Sequence, residues 1–302
     1  MLMQATTIHK RSTGEILFDI LIIILCVLIF LIVAYPLYFV IIASVSDQTL
    51  VSTGKVTLFP RGVSFFGYEQ IFQDMRIWIG YKNTVIYTVL GTLFNLLLTI
   101  PAAYALSRQE FRARRLLMFF FVFTLFFNGG LIPTYILMKD LSLTNSMWVF
   151  IIPFAVNVFN LIIARTFFEA SLPKEIYESA ALDGCTHFKF FFYIAIPLSK
   201  SVISVIALYY LVAHWNDFFT GLIYIHSNDL QPLQIILRDI LLSNQVFSQG
   251  GGSGGSAGGY AQQFADQVKY GVIIVSTLPI LIVYPFIQKY FEKGVMIGSI
   301  KG

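Results

Sequence analysis

From Ile20 to Ala43 the chain carries no charged residue, and an apolar run of that length crosses the hydrocarbon core of a bilayer with some tilt. It reads as a span and not as a secretory signal, being much longer than a signal h-region and lacking a small-residue cleavage site at its end. The rest of the sequence has to be arranged around a membrane. Of the 302 residues, 57% are apolar and 12% charged, and the mean hydropathy is +0.76. Soluble domains keep charged residues near about a quarter of the total, so no large globular domain is left once the apolar runs are set aside. The net charge of +4 implies no nucleic acid; in such a chain the basic residues matter through the side on which they sit. Cys26 falls inside the first run and Cys185 on a central loop, which leaves neither a disulfide framework nor a zinc spacing.

Six spans are expected. After Ile20–Ala43, with Pro36 inside it, come about Asn83–Leu106 with Gly91 and Pro101, and Leu116–Met138 broken by Asn128, Gly129, Gly130 and Pro133. Met147–Phe168 with Pro153, Asn157 and Asn160, about Phe190–Ala213, and about Val268–Ile287 with Pro279 and Pro285 complete the set. Asp47–Lys82 is expected on the outer surface. Residues 1–15 form a short polar N-terminal segment ahead of a membrane domain covering 16–302. Arg108, Arg112, Arg114 and Arg115 crowd the connection after the second span, and the positive-inside rule then places both termini and the central loop in the cytoplasm. The outer loop Trp215–Gln267 holds a glycine-rich tract at about 248–260 that reads as flexible coil. That tract lacks Gly-Lys-Ser/Thr and a flanking strand, so it is no phosphate cradle.

The central loop, Ser171–Pro197, lies between two apolar runs yet carries a dense mix of charge. Pro173 suits a first helical turn and Glu175 the positive end of the helix dipole. Ile176, Tyr177, Ala180, Ala181 and Gly184 recur at helical spacing as one small-residue stripe, and Gly184 offers a left-handed stop. The bland alternative is an amphipathic helix lying on the membrane. Acids and small residues are poor choices for an anionic lipid surface, so a protein partner fits better.

Glu178, Ala180, Gly184, Ile194 and Pro197 reproduce the spacing of the "EAA" loop, about 171–190 here, which this stretch resembles: the coupling loop of the membrane subunits of bacterial ABC importers. Ser179 stands where that family usually has Ala, and Ile196 where it usually has Leu. AYPLYFVIIASVSD, GGLIPTYILMKDLSLTNSMWVFIIP, RTFFEASLP, HWNDFF and the tail YFEKGVMIGSIKG look like the carbohydrate-importing branch, near the second permease of maltose-type and polysaccharide or aldouronate-type systems. The resemblance implies an all-α, type I permease fold with six transmembrane helices and a cytoplasmic coupling helix, in a multi-pass protein of the bacterial plasma membrane. It implies a second homologous permease, two ATPase subunits that bind the ATP and Mg, and an extracellular sugar-binding protein; this chain would hold no cofactor and be no enzyme. Glu175, Glu178, Ala180, Ala181, Asp183, Gly184 and Pro197 are then the residues expected to couple to the ATPase.

Polar groups at membrane depth face protein or a water-filled path. Asn128, Asn157, Asn160, Trp215 and Asn216 are the candidates for a carbohydrate pathway, set against helix-to-helix hydrogen bonding for the amides, including Asn95, and a membrane-interface anchor for the indole. His214, Trp215, Asn216 and Asp217 together close the fifth span on the outer side. A self-sufficient secondary transporter or polytopic enzyme is the alternative, and it predicts charged or catalytic groups buried in the spans. Ile20–Ala43, Thr84–Leu106 and Leu116–Met138 contain none. No Walker lysine motif, histidine pair or Ser/His/Asp constellation occurs either.

Overall fold

A computed structural model of the chain describes residues 13–250, 268–285 and 288, with side chains in the helix ending at Gly250 described as far as Leu242. Among the described residues all regular structure is helical. The helices are α1 Thr13–Ser44, α2 Gln48–Ser52, α3 Phe66–Gln73, α4 Met75–Ser107, α5 Arg114–Phe126, α6 Leu131–Asp140, α7 Val158–Ser171 and α8 Lys174–Leu182. There follow α9 His187–Phe190, α10 Ile196–Leu198, α11 Lys200–Trp215, α12 Phe219–Tyr224, α13 Leu233–Gly250 and α14 Val268–Pro285.

The chain divides into two compact units, residues 1–69 with 247–274 and residues 70–246 with 275–302. In the first, α1 is exposed along most of its length and buries only Ile42, Ala43 and Ser44. From Ile20 onward the helix has no charged residue and an unburied apolar surface, which belongs in lipid. Its polar end is pinned by Tyr68, whose hydroxyl donates to Ser44 Oγ at 2.9 Å, and by Ser46 Oγ, which accepts from the Arg61 amide at 3.2 Å. In the second unit α4 packs on α7 and α11. Ala103 and Ala164 are small enough to bring the helix backbones together, and Phe168, Phe190 and Ile206 fill the space around them.

Among the described residues three helices, α1, α4 and α14, are long and apolar enough to cross a membrane, and two bent pairs bring the number to five at most, against the six spans expected: α5 with α6, bent by 115°, and the α9–α10 segment with α11, bent by 80°. The α5/α6 break falls at Asn128–Gly130, where the sequence places it; Gly130 adopts φ +79. Elsewhere the boundaries differ. The second span starts at Met75, so Met75–Lys82 belongs to the helix and not to a surface segment; the Asp74 carboxylate caps it, accepting from the Arg76 amide at 2.9 Å. The expected fourth span opens with a 3-10 turn at Met147–Phe150 and is α-helical only from Val158, because Pro153 lacks an N–H, Phe154 turns left-handed at φ +56, and Asn157 caps the new helix. The fifth is not one helix from Phe190: a π-turn at Phe191–Ala195 and the bend at Ser199 interrupt it. The outer loop after Trp215 carries α12 and α13, the latter running to Gly250 and so into the start of the tract expected as coil. The glycine tract from Gly251 and the tail motif lie outside the described residues.

Candidate functional site

The central loop is built by local signals. Pro173 stands one residue ahead of α8, as its cap, and not within the first turn. At the other end Gly184 adopts φ +75, its amide donating to the Ala181 carbonyl at 3.0 Å while the Cys185 amide donates to Ala180 at 2.9 Å. That pair of bonds closes a helix through a left-handed residue. A Cβ at Gly184 would meet no atom within 4 Å, so glycine is needed for its backbone freedom and not for space. Thr186 then accepts from the Lys189 amide to start α9.

No residue of α8 is buried. Glu175, Glu178, Ala181 and Asp183 are exposed, and Leu182 is 91% exposed. Glu178 meets Lys174 at 2.8 Å, and that hydrogen bond raises the ammonium pKa. The inner side of the loop is fastened by rings. Tyr177 stacks on His187 at 5.0 Å, its hydroxyl 3.0 Å from the imidazole Nε2, and meets Phe190 edge-on. The Arg108 guanidinium, just past α4, lies 4.7 Å from the Tyr177 ring centre and 5.7 Å from both Tyr104 and Phe190. Such contacts add about 0.5–2 kcal/mol each, more when desolvated. These contacts tie the inner face of α8 to the Ser107 end of α4. Pro197 lies in α10, immediately before the Ser199 bend.

The second feature is a stripe along α4. Thr84, Thr88, Thr92, Asn95 and Thr99, three or four residues apart, share one helix face, and all are buried. Thr84 Oγ1 accepts from the Leu233 amide at 2.8 Å, and Asn83 donates to the Asp229 and Gln231 carbonyls. Thr99 shares a 2.7 Å hydrogen bond with the Tyr210 hydroxyl, which also accepts from the Asn157 amide at 3.0 Å. The Asn95 amide donates to His214 Nε2 at 3.1 Å, leaving its own oxygen buried without a partner. Gly91 makes this approach possible, since a Cβ there would stand 2.5 Å from the imidazole. Above these groups opens a cavity of about 270 Å³, lined among others by Asn95, Phe154, Asn157, His214 and Asp217.

Of the amides singled out by sequence, Asn157 lines this cavity while its Oδ1 caps α7 by accepting from the Asn160 amide at 3.1 Å. Asn160 is buried in α7. Asn128 is exposed in the α5/α6 break, where it accepts from the Gly130 amide. Asn216 is exposed and donates back to the Val212 carbonyl. Trp215 is buried and donates to the Ser276 carbonyl at 3.0 Å, so it packs against protein and is not an interfacial anchor. Its neighbours His214, in the last turn of α11, and Asp217, just past the end of that helix, line the cavity instead. The threonine stripe was missed, although its spacing in a span is a readable signal.

A profile of the family described as "Binding-protein-dependent transport system inner membrane component" matches residues 77–297. The chain belongs to this family. Protein LplC of Bacillus subtilis (strain 168) is 37% identical over 301 residues, 98% of each chain. The polygalacturonan/rhamnogalacturonan transport system permease protein YtcP of the same organism is 39% identical over 291 residues, 95% of this chain and 99% of that one. Among solved structures, a chain of a bacterial ABC transporter involved in the import of the acidic polysaccharide alginate superposes with a TM-score of 0.83 at 30% identity, over 94% of this chain and 99% of that one. The fold is that of a type I ABC permease, and the chain is a membrane transport subunit, not an enzyme.

Proposed function

We propose that this permease component forms half of the translocation pathway of an ATP-driven oligosaccharide importer, paired with a second homologous permease, two ATPase subunits and an extracellular sugar-binding protein. The observation that carries the reading is the central loop: a capped, charged helix with no buried residue, turned by Gly184 and held to α4 through Arg108. A helix that keeps its acids and Leu182 outside while locking its inner face is shaped for a protein cleft. With the arginine-rich connection on the cytoplasmic side, that cleft belongs to the ATPase. Glu175, Glu178, Ala181 and Asp183 present the contact; Ala180 packs inward; Pro197 and the Ser199 bend relay movement into α11. ATP-driven closure of the ATPases would move α8, and through Arg108 and α11 open the path alternately outward and inward. The names of the relatives support a carbohydrate, and among the pathway candidates Asn157 is the one that lines the cavity. Solubilising the native complex through a tag on this chain and identifying the co-purifying proteins tests the reading. An ATPase and a second permease are expected; their absence from an intact, folded preparation overturns it.

A further inference from the structure

We infer that the cavity beside Asn95 is a subsite for one uncharged glycosyl ring and rejects a uronate at that position, an inference that rests on the oligosaccharide reading above. The volume, about 270 Å³, falls just under the usual range for small-molecule pockets, roughly 300–1,000 Å³, which suits a single ring and not a chain. Its position suits a transport path: Asn95 stands about 18 Å along α4 from Ser107, at about 1.5 Å per residue, well inside a hydrocarbon core of about 30 Å.

Three features of its wall point to a sugar. Asn95 is only 4% exposed and its Oδ1 has no partner, so an acceptor is kept dry and unsatisfied at membrane depth, where a hydroxyl donor would satisfy it. Phe154 holds φ +56, an outlier for a bulky residue, and its ring is 79% exposed. Strain of that kind persists where the surroundings enforce it and gathers at ligand sites; here it places an aromatic side chain on the cavity lining, a group on which the C–H face of a pyranose can stack. Asp217 supplies the third feature. One of its oxygens accepts from the Thr220 amide at 3.0 Å, and the carboxylate stands on the cavity wall.

The charge pattern sets the class of ring. Neither lysine nor arginine lines the cavity, Asp217 is its one acid, and the His214 ring is engaged with the Asn95 amide through Nε2 at 3.1 Å. A hydroxyl can donate to Asp217 and Asn95. A uronate carboxylate would bring a second negative charge beside Asp217, with no lysine or arginine on the lining to offset either.

The test reads occupancy of the cavity directly, apart from the selectivity of the binding protein. Ala213 lines the cavity and is exposed. In the assembled importer in lipid nanodiscs, with Cys26→Ser and Cys185→Ser removing the native thiols, Ala213→Cys is labelled with a small maleimide while α-1,4-galactobiose or α-1,4-digalacturonate is titrated. The two sugars differ in the oxidation of C6. Galactobiose is expected to slow labelling at least about five-fold and digalacturonate not at all. Asp217→Asn, which keeps the capping geometry, should let digalacturonate protect as well. Equal protection by both sugars, protection by digalacturonate alone, or protection by neither while ATP-driven oligosaccharide uptake proceeds, overturns the subsite and leaves the transport reading standing. If the intact complex hydrolyses ATP but takes up neither neutral nor acidic oligosaccharides, the transport reading fails and the subsite with it.

Discussion

The central loop and the α4 stripe use glycine for opposite reasons. At Gly184 nothing lies within 4 Å of where a Cβ would stand, but φ is +75; at Gly91 the backbone is helical, but a Cβ would meet the His214 ring at 2.5 Å. The first glycine sets a direction and the second sets a distance. The loop leaves its charges exposed and draws its shape from a few consecutive residues. The stripe buries its polar groups and draws its partners from α11 and the segment around Leu233, far along the chain. One region can therefore be altered without loss of the fold and the other cannot.

Gly91→Val should show the contrast at its largest. The added branches must drive the buried His214 ring from its place on Asn95 or force α4 and α11 apart, an overpacking that costs about 1–3 kcal/mol or more, so the yield of monodisperse, detergent-stable permease should fall. A normal size-exclusion profile would show that the two helices tolerate separation. Asn83→Leu, at the other end of the stripe, removes donations of 2.7 and 3.0 Å to the Asp229 and Gln231 carbonyls. Leaving those acceptors unmet should cost about 1–3 kcal/mol, read as a lower melting temperature of the purified complex with the central loop's ATPase binding unchanged. The smallest effect is expected at Asp74. Its hydrogen bond from Arg76 holds the carboxyl below the ordinary value, so its contribution is fully present above the unfolded value of about 3.9 and is lost as pH falls through the depressed folded value. With Arg76 mostly exposed, the amount is under about 1 kcal/mol. Asp74→Asn keeps the cap and should flatten only this acid limb; an unchanged limb would remove the ion pair from the account.

The sequence made the central loop readable because its signals are local: a proline before a helix, small residues at helical spacing and a glycine that stops it. The break at Asn128–Gly130 was readable for the same reason. Hydropathy found the apolar segments of α1, α4, α14 and the two bent pairs, but not where helices begin and end, since the Asp74 cap and the left-handed Phe154 outweigh composition there. What joins the loop to the membrane was not legible. Arg108 was read as one of a cluster fixing orientation, and only the fold brings its guanidinium over Tyr177 and Phe190. The cavity was half legible: Asn157 was named, yet choosing Trp215 and Asn216 over His214 and Asp217 required knowing which face of α11 meets α4.

The claim that the central loop couples this subunit to an ATPase is tested most directly at Gly184. With open space around the Cβ, Gly184→Val bears only the conformational cost of a left-handed β-branched residue, roughly 1–2 kcal/mol, or redirects the chain leaving α8. The variant should therefore be expressed and membrane-embedded, in contrast to Gly91→Val. Co-purified ATPase and ATP-driven uptake are measured side by side on the same preparation. The account predicts that both fall at least about ten-fold while permease yield is kept; wild-type values of both would contradict it.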